Sequence, residues 1–116
     1  MFRSLLTAGS LALLTLAQPA AATGHGCQTV RFPSGAYVHS VQGYANSHQS
    51  QCFSLDVRRG QLAQIRILYG PVFFSTTHTQ GTYQDVQFHT VNGQLLVYVH
   101  TDYGGQQPFA IEFGFY

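Results

Sequence analysis

The chain has 116 residues, with five lysine or arginine residues against four acidic ones and a formal net charge of +1. All five cations are arginines, and only 8% of the residues are charged. Phosphate backbones and anionic lipid surfaces are gripped by clustered positive charge, so this composition excludes both as expected partners.

The N-terminus opens with "MFRS", a positive charge, followed by the short apolar run "LLTAGSLALLTLA" and the small residues of "QPAAA". This pattern is a secretory signal peptide over residues 1–22, cut after Ala22. The run is too short to serve as a membrane span, so the mature chain is expected to carry no integral membrane segment. Removing 22 of the 116 residues leaves 94, from 23 to 116, enough for one domain. Its four arginines (31, 58, 59 and 66) balance Asp56, Asp85, Asp102 and Glu112. Export also governs Cys27 and Cys52: two cysteines in an oxidising compartment are expected to form one disulfide. The competing reading, Cys27 as a lipid-attachment site, requires an aliphatic residue three positions earlier, where this chain has Gly24.

From residue 23 onward the hydrophobic period is two, not 3.6. "CQTVRF" is a first strand, stopped by Pro33-Ser34-Gly35. "AYVHSVQGY" places Tyr37, His39 and Val41 on one face, and "QCFSLDV" does the same for Phe53, Leu55 and Val57. "LAQIRILY" points Ala63, Ile65, Ile67 and Tyr69 inward. "VFFSTT" reads as a buried strand, "YQDVQFHTV" and "QLLVYVHT" as two more, and "FAIEFGFY" closes the chain with Phe109, Ile111, Phe113 and Phe115 on one face. Eight short strands in so few residues predict an all-β domain, either a sandwich or a small barrel.

Two connections permit register predictions. Asn92-Gly93 is a strong two-residue hairpin signal. A hairpin there sets Phe88 against Val97 and Val86 against Val99, with Asp85 opposite His100 on the other face. Between Val57 and Ala63, the three residues Arg59-Gly60-Gln61, preceded by Arg58, make either a hairpin pairing Leu55 with Ile65 or a corner between opposed sheets. Either geometry uses Gly60 at positive φ and leaves the arginines at a solvated tip.

"VRFPSGAYVHSVQGY", "CFSLDVRRGQLAQIRI" and "VNGQLLVYVHTDYGGQQPFAIEF" together resemble the bacterial pre-peptidase C-terminal (PPC)-like β-sandwich superfamily, which includes periplasmic inhibitors of invertebrate-type lysozyme. The resemblance implies a single small antiparallel sandwich, jelly-roll-like, that binds a lysozyme or another cell-wall-active enzyme in the periplasm or outside the cell. Those inhibitors present a Ser-Gly-x-x-Tyr loop to the enzyme cleft. Here Thr79-Gln80-Gly81-Thr82-Tyr83 keeps the glycine and tyrosine, has Gln80 in place of serine, and is one residue shorter. Ser34-Gly35-Ala36-Tyr37 is a second, equally short candidate, earlier in the chain.

Catalysis and cofactors have no support in the spacing. The six histidines include no convergent set with zinc-ligand spacing, and the four acids are too scattered for calcium. No G-x-S-x-G elbow or local carboxylate pair is present. The expected function is therefore non-enzymatic binding without cofactor or metal. Its candidate contacts are His78, Thr79, Gln80, Gly81, Thr82, Tyr83 and Tyr103, since tyrosines beside glycine-containing loops make efficient interface anchors. Tyr83 has an alternative use, as a half-buried residue packing a sheet edge. The competing function is a structural or glycan-binding envelope module that inhibits nothing.

Overall fold

The computed structural model describes residues 26–116; the signal-peptide assignment lies outside them. Eight strands form in chain order: β1 (Cys27–Thr29), β2 (Val38–Ala45), β3 (Gln51–Val57), β4 (Leu62–Tyr69), β5 (Phe73–Thr76), β6 (Asp85–His89), β7 (Gly93–His100) and β8 (Gln107–Phe115). They make two four-stranded sheets, ordered β1-β3-β7-β5 and β2-β8-β4-β6. Odd strands occupy one sheet and even strands the other, so every connection crosses between layers. The fold is an all-β sandwich, antiparallel except for the β1–β3 pair, which runs parallel.

The alternation read from the sequence dictates what fills the space between the layers. Phe53, Leu55 and Val57 of β3 and Leu95, Val97 and Val99 of β7 meet Ala63 and Ile65 of β4 and Phe109, Ile111 and Phe113 of β8, all buried. Phe53 lies edge-on to both Phe109 and Phe113, at centroid distances of 6.2 and 5.8 Å. Burying each of these side chains contributes roughly 1.5–3 kcal/mol, making this stripe the dominant stabilising feature. Gly43 is small for a packing reason: a Cβ there would fall 2.8 Å from the ring of Phe109. Cys27 and Cys52 are joined as a disulfide, tethering β1 to β3.

The register corrects three expectations. There is no β6–β7 hairpin: β6 pairs with β4, so Val86 faces Ile65 and Phe88 faces Ala63, while β7 lies between β3 and β5. Asp85 consequently stands opposite Arg66, and His100 opposite Phe73 in the other sheet. Gly93 does adopt positive φ, 117°, but uses it to enter β7 after a crossover. Tyr69 does not point inward; the register shifts between Ile67 and Tyr69, and the ring is 48% exposed. A bulge inserts one residue and turns the following side chains to the other face. Finally, the first strand stops at Thr29 instead of running to Phe32.

Between β3 and β4 the chain takes the corner, not the hairpin. Gly60 has φ 83°, and its N–H donates to the Thr90 carbonyl at 2.8 Å. Thr90, buried, ties this corner to the neighbouring β6–β7 crossover. Its N–H donates to the Gln61 carbonyl at 2.9 Å, its hydroxyl donates to the Arg58 carbonyl, and its Oγ1 accepts from the Gln61 N–H at 3.0 Å. Gln61 Oε1 in turn accepts from the Arg58 N–H at 2.8 Å. Both arginine side chains stay exposed.

Candidate functional site

Loops at the ends of a sandwich are free of the ladder constraints that fix strand residues, and two of them present themselves. The first, residues 77–82, joins β5 to β6. Thr76 Oγ1 is 2.8 Å from Thr79 Oγ1 and accepts from the His78 N–H at 3.1 Å, closing the turn from inside. Gly81 has φ 91°. His78 is half-buried, edge-on to Phe88 with centroids 6.3 Å apart, and its Nδ1 accepts from Val91 N–H at 3.5 Å. The tip that reaches solvent is Gln80, Gly81 and Thr82.

Tyr83 does not protrude with that tip. Its backbone exchanges two 2.8 Å hydrogen bonds with Phe74, its ring packs on Phe74 at 6.1 Å, and its hydroxyl donates to the Gln80 carbonyl. The side chain staples the loop to the core. Tyr103, by contrast, is 57% exposed but sits elsewhere. Its carbonyl accepts from Ser47 N–H at the β2–β3 end of the sandwich. The length of β5, whose Phe73 and Thr76 pair with His100 and Val97, separates it from the 77–82 turn. The structure therefore gathers residues 78–83 into one turn and leaves Tyr103 apart.

The second loop, residues 33–37, joins β1 to β2. Ala36 N–H donates to the Pro33 carbonyl at 2.9 Å, and Gly35 takes φ 79°, a closed turn. It is pinned on both flanks. Phe32 packs between His39 at 5.7 Å and Phe115 at 5.8 Å, and Phe115 N–H donates to the Tyr37 carbonyl at 3.0 Å. Tyr37 projects from this rigid base with 69% of its surface exposed, more than any other large hydrophobic or aromatic residue among the described residues. It stands on the wall of a cleft of about 600 Å³ that also takes in Arg31, Asp56, Gln61 and Gln94. Sequence reasoning had this turn in view through Ser34-Gly35-Ala36-Tyr37. What it lacked was the exposure difference between Tyr37 and Tyr83, which only packing decides.

The remaining polar chemistry is structural. His100 sits on the outer face of the odd-strand sheet, Nδ1 3.0 Å from Ser50 Oγ and Nε2 3.0 Å from Ser75 Oγ, and stacks on Phe73 at 5.4 Å. Burial holds its pKa below the ordinary histidine value. Arg66 pairs with Glu112 at 2.8 Å across β4 and β8. Among the described residues, no three histidine, cysteine or acidic side chains converge in a way that would hold a metal. No helix among them is long and apolar enough to cross a membrane.

Fold and loops together define a small disulfide-bonded β-sandwich whose most prominent surface features are two rigid turns at the junctions between sheets. No family model and no curated protein sequence matches the chain. Solved structures share its fold, among them two lysozyme inhibitors. PliG of Aeromonas hydrophila, a periplasmic inhibitor of g-type lysozyme, superposes with a TM-score of 0.68 at 17% identity, over 78% of this chain and 96% of that one. PliG of Salmonella Typhimurium, with the same description, gives 0.63 at 12% identity, over 76% and 96%. The likeness is one of fold, and it is to inhibitors of g-type lysozyme.

Proposed function

We propose that the mature chain is an exported, non-enzymatic inhibitor that binds a lysozyme and blocks its substrate cleft with the 33–37 turn. The observation that carries this reading is Tyr37: an aromatic anchor held out from a hydrogen-bonded, uncharged turn, with Ser34 beside it. A glycoside hydrolase works through two carboxylates flanking the scissile bond. A rigid turn with phenol and hydroxyl donors complements such a cleft at low conformational cost, because the turn is ordered before it binds. Both the g-type specificity of the structures that share the fold and the export signal favour a periplasmic defence against an incoming lysozyme.

A second placement of the contact, on residues 78–83, is favoured by the internally braced turn with its exposed Gln80, Gly81 and Thr82 tip. In that arrangement Tyr83 acts as brace for the tip. The two placements separate cleanly. Purified mature protein is titrated against g-type, invertebrate-type and chicken-type lysozymes. Tyr37→Ala is expected to weaken inhibition of the g-type enzyme by about 1–2 kcal/mol, roughly five- to thirtyfold. Gln80→Ala with Thr82→Ala is expected to leave it unchanged. The reverse outcome moves the site to the second turn, and no inhibition of any lysozyme at micromolar protein sinks the inhibitor reading in favour of an accessory envelope module.

A further inference from the structure

Each sheet has two edges, and three of the four are short, charged or closed. β1 spans three residues, β6 carries Asp85, and β5 is joined to the β6 side through the Phe74–Tyr83 backbone pair. The fourth, β2, is eight residues long, "VHSVQGYA", with no charge, no proline and no shift of register against β8. Such an edge lacks the devices by which natural sheets avoid pairing with another chain.

The register identifies which groups of β2 are open. Phe115 N–H donates to the Tyr37 carbonyl, and in an antiparallel ladder bonded residues alternate. His39, Val41, Gly43 and Ala45 therefore engage β8, while the N–H and C=O groups of Val38, Ser40, Gln42 and Tyr44 point away from the sheet. Among the described residues no hydrogen bond is made to these outward groups. The four open residues are symmetric about Val41, which makes the edge complementary to itself.

We propose that β2 is a homodimerisation edge, pairing antiparallel with β2 of a second copy about a two-fold axis at Val41 to make one continuous eight-stranded sheet. In this register Val38, 40% exposed, meets Tyr44 of the second copy, 63% exposed, so the two large apolar side chains left on this strand cover each other. Ser40 meets Gln42. On the inner face His39 lies against Gly43, large against small, and Val41 against its own copy. Each outward pair exchanges two backbone hydrogen bonds, and cross-strand apolar pairs add to them. The absence of charge on β2 removes the repulsion that two identical strands usually face. The two 33–37 turns then project from opposite ends of the paired strands, roughly 26 Å apart at strand rise.

Light scattering and sedimentation of the mature disulfide-bonded protein, from low micromolar to hundreds of micromolar, are expected to show the mass doubling with concentration. Gln42→Pro removes an outward N–H and leaves the bonds to β8 intact, since edge positions tolerate proline; it is expected to be monomeric with the far-ultraviolet circular dichroism of the parent. Ser40→Lys with Gln42→Lys brings four ammonium groups together at the axis without altering any buried group. It is expected to weaken the dimer at least tenfold, with partial recovery in high salt as the charges are screened. A parent protein that stays monomeric throughout overturns the proposal. So does a folded lysine variant that dimerises as strongly as the parent, because that dimer uses another surface.

Discussion

Tyr83 and Phe74 close the open flank of the sandwich: their backbones exchange two hydrogen bonds of 2.8 Å, and their rings pack at 6.1 Å and 44°. The Tyr83 ring is thus committed to holding β6 and the preceding turn against β5, whereas Tyr37 is tied to β8 through its carbonyl alone and its side chain is 69% exposed.

From this contrast the two tyrosines should differ in stability effect. Tyr83→Ala removes a half-buried ring and a hydrogen bond to the Gln80 carbonyl, and is expected to cost about 2–4 kcal/mol in urea denaturation. Tyr37→Ala deletes an exposed side chain and should stay within about 0.5 kcal/mol. Equal losses at the two positions would contradict the packing described above.

Thr90 bonds the carbonyl of Arg58 and the N–H of Gln61, joining two crossovers that are distant in sequence. Thr90→Val keeps the shape and leaves those backbone groups unsatisfied in a part-buried place. A loss of about 1–3 kcal/mol is expected. Arg58→Ala and Arg59→Ala, in the same corner, should each be near neutral, within about 0.5 kcal/mol. Thermal or denaturant midpoints compared across the three variants check the ranking.

His100 contributes a pH dependence whose sign follows from its burial. Its folded pKa lies below the ordinary value of 6.5, so as pH falls through that value the unfolded chain takes up the proton first. Stability is then full above about pH 6.5, declines as pH falls towards the folded pKa, and levels off below it. In His100→Gln, whose amide can still meet Ser50 and Ser75, this part of the pH profile should disappear. Denaturant unfolding of the two proteins at a series of pH values measures the difference, and identical slopes would rule out His100 as the source.

Reduction of the Cys27–Cys52 bond opens a loop with a sequence separation of 25 and frees β1 from its parallel partner. A cost of roughly 3 kcal/mol is expected from loop entropy. The double variant Cys27→Ser, Cys52→Ser, followed by denaturant unfolding, tests it. A loss well under about 1 kcal/mol would show that the covalent tether adds little to the pairing of β1 with β3.

Much of the interior is legible in the sequence. Phe53, Leu55 and Val57, and likewise Phe109, Ile111 and Phe113, alternate with polar or small neighbours, and alternation is a local property of an extended chain. Each strand therefore declared its own inward face. Gly60 declared its positive φ in the same local way, because a tight corner leaves no room for another choice.

Partner choice was not local. Val86 and Phe88 present an apolar face that is satisfied equally by a hairpin with β7 or by β4 in the opposite layer, and Asn92-Gly93 specifies a backbone bend without specifying what lies beyond it. The tertiary structure decided for β4, since the odd and even strands segregate into separate sheets and every connection must cross. The same packing decided between the tyrosines. Nothing in "GTY" or "GAY" shows that one ring turns onto Phe74 and the other into solvent, because burial depends on which neighbour the completed fold brings to each ring. Chain chemistry by itself determined the all-β pattern, the inward face of most strands and the Cys27–Cys52 pairing. Three-dimensional packing alone decided the strand order, the open β2 edge and the turn from which an aromatic residue projects.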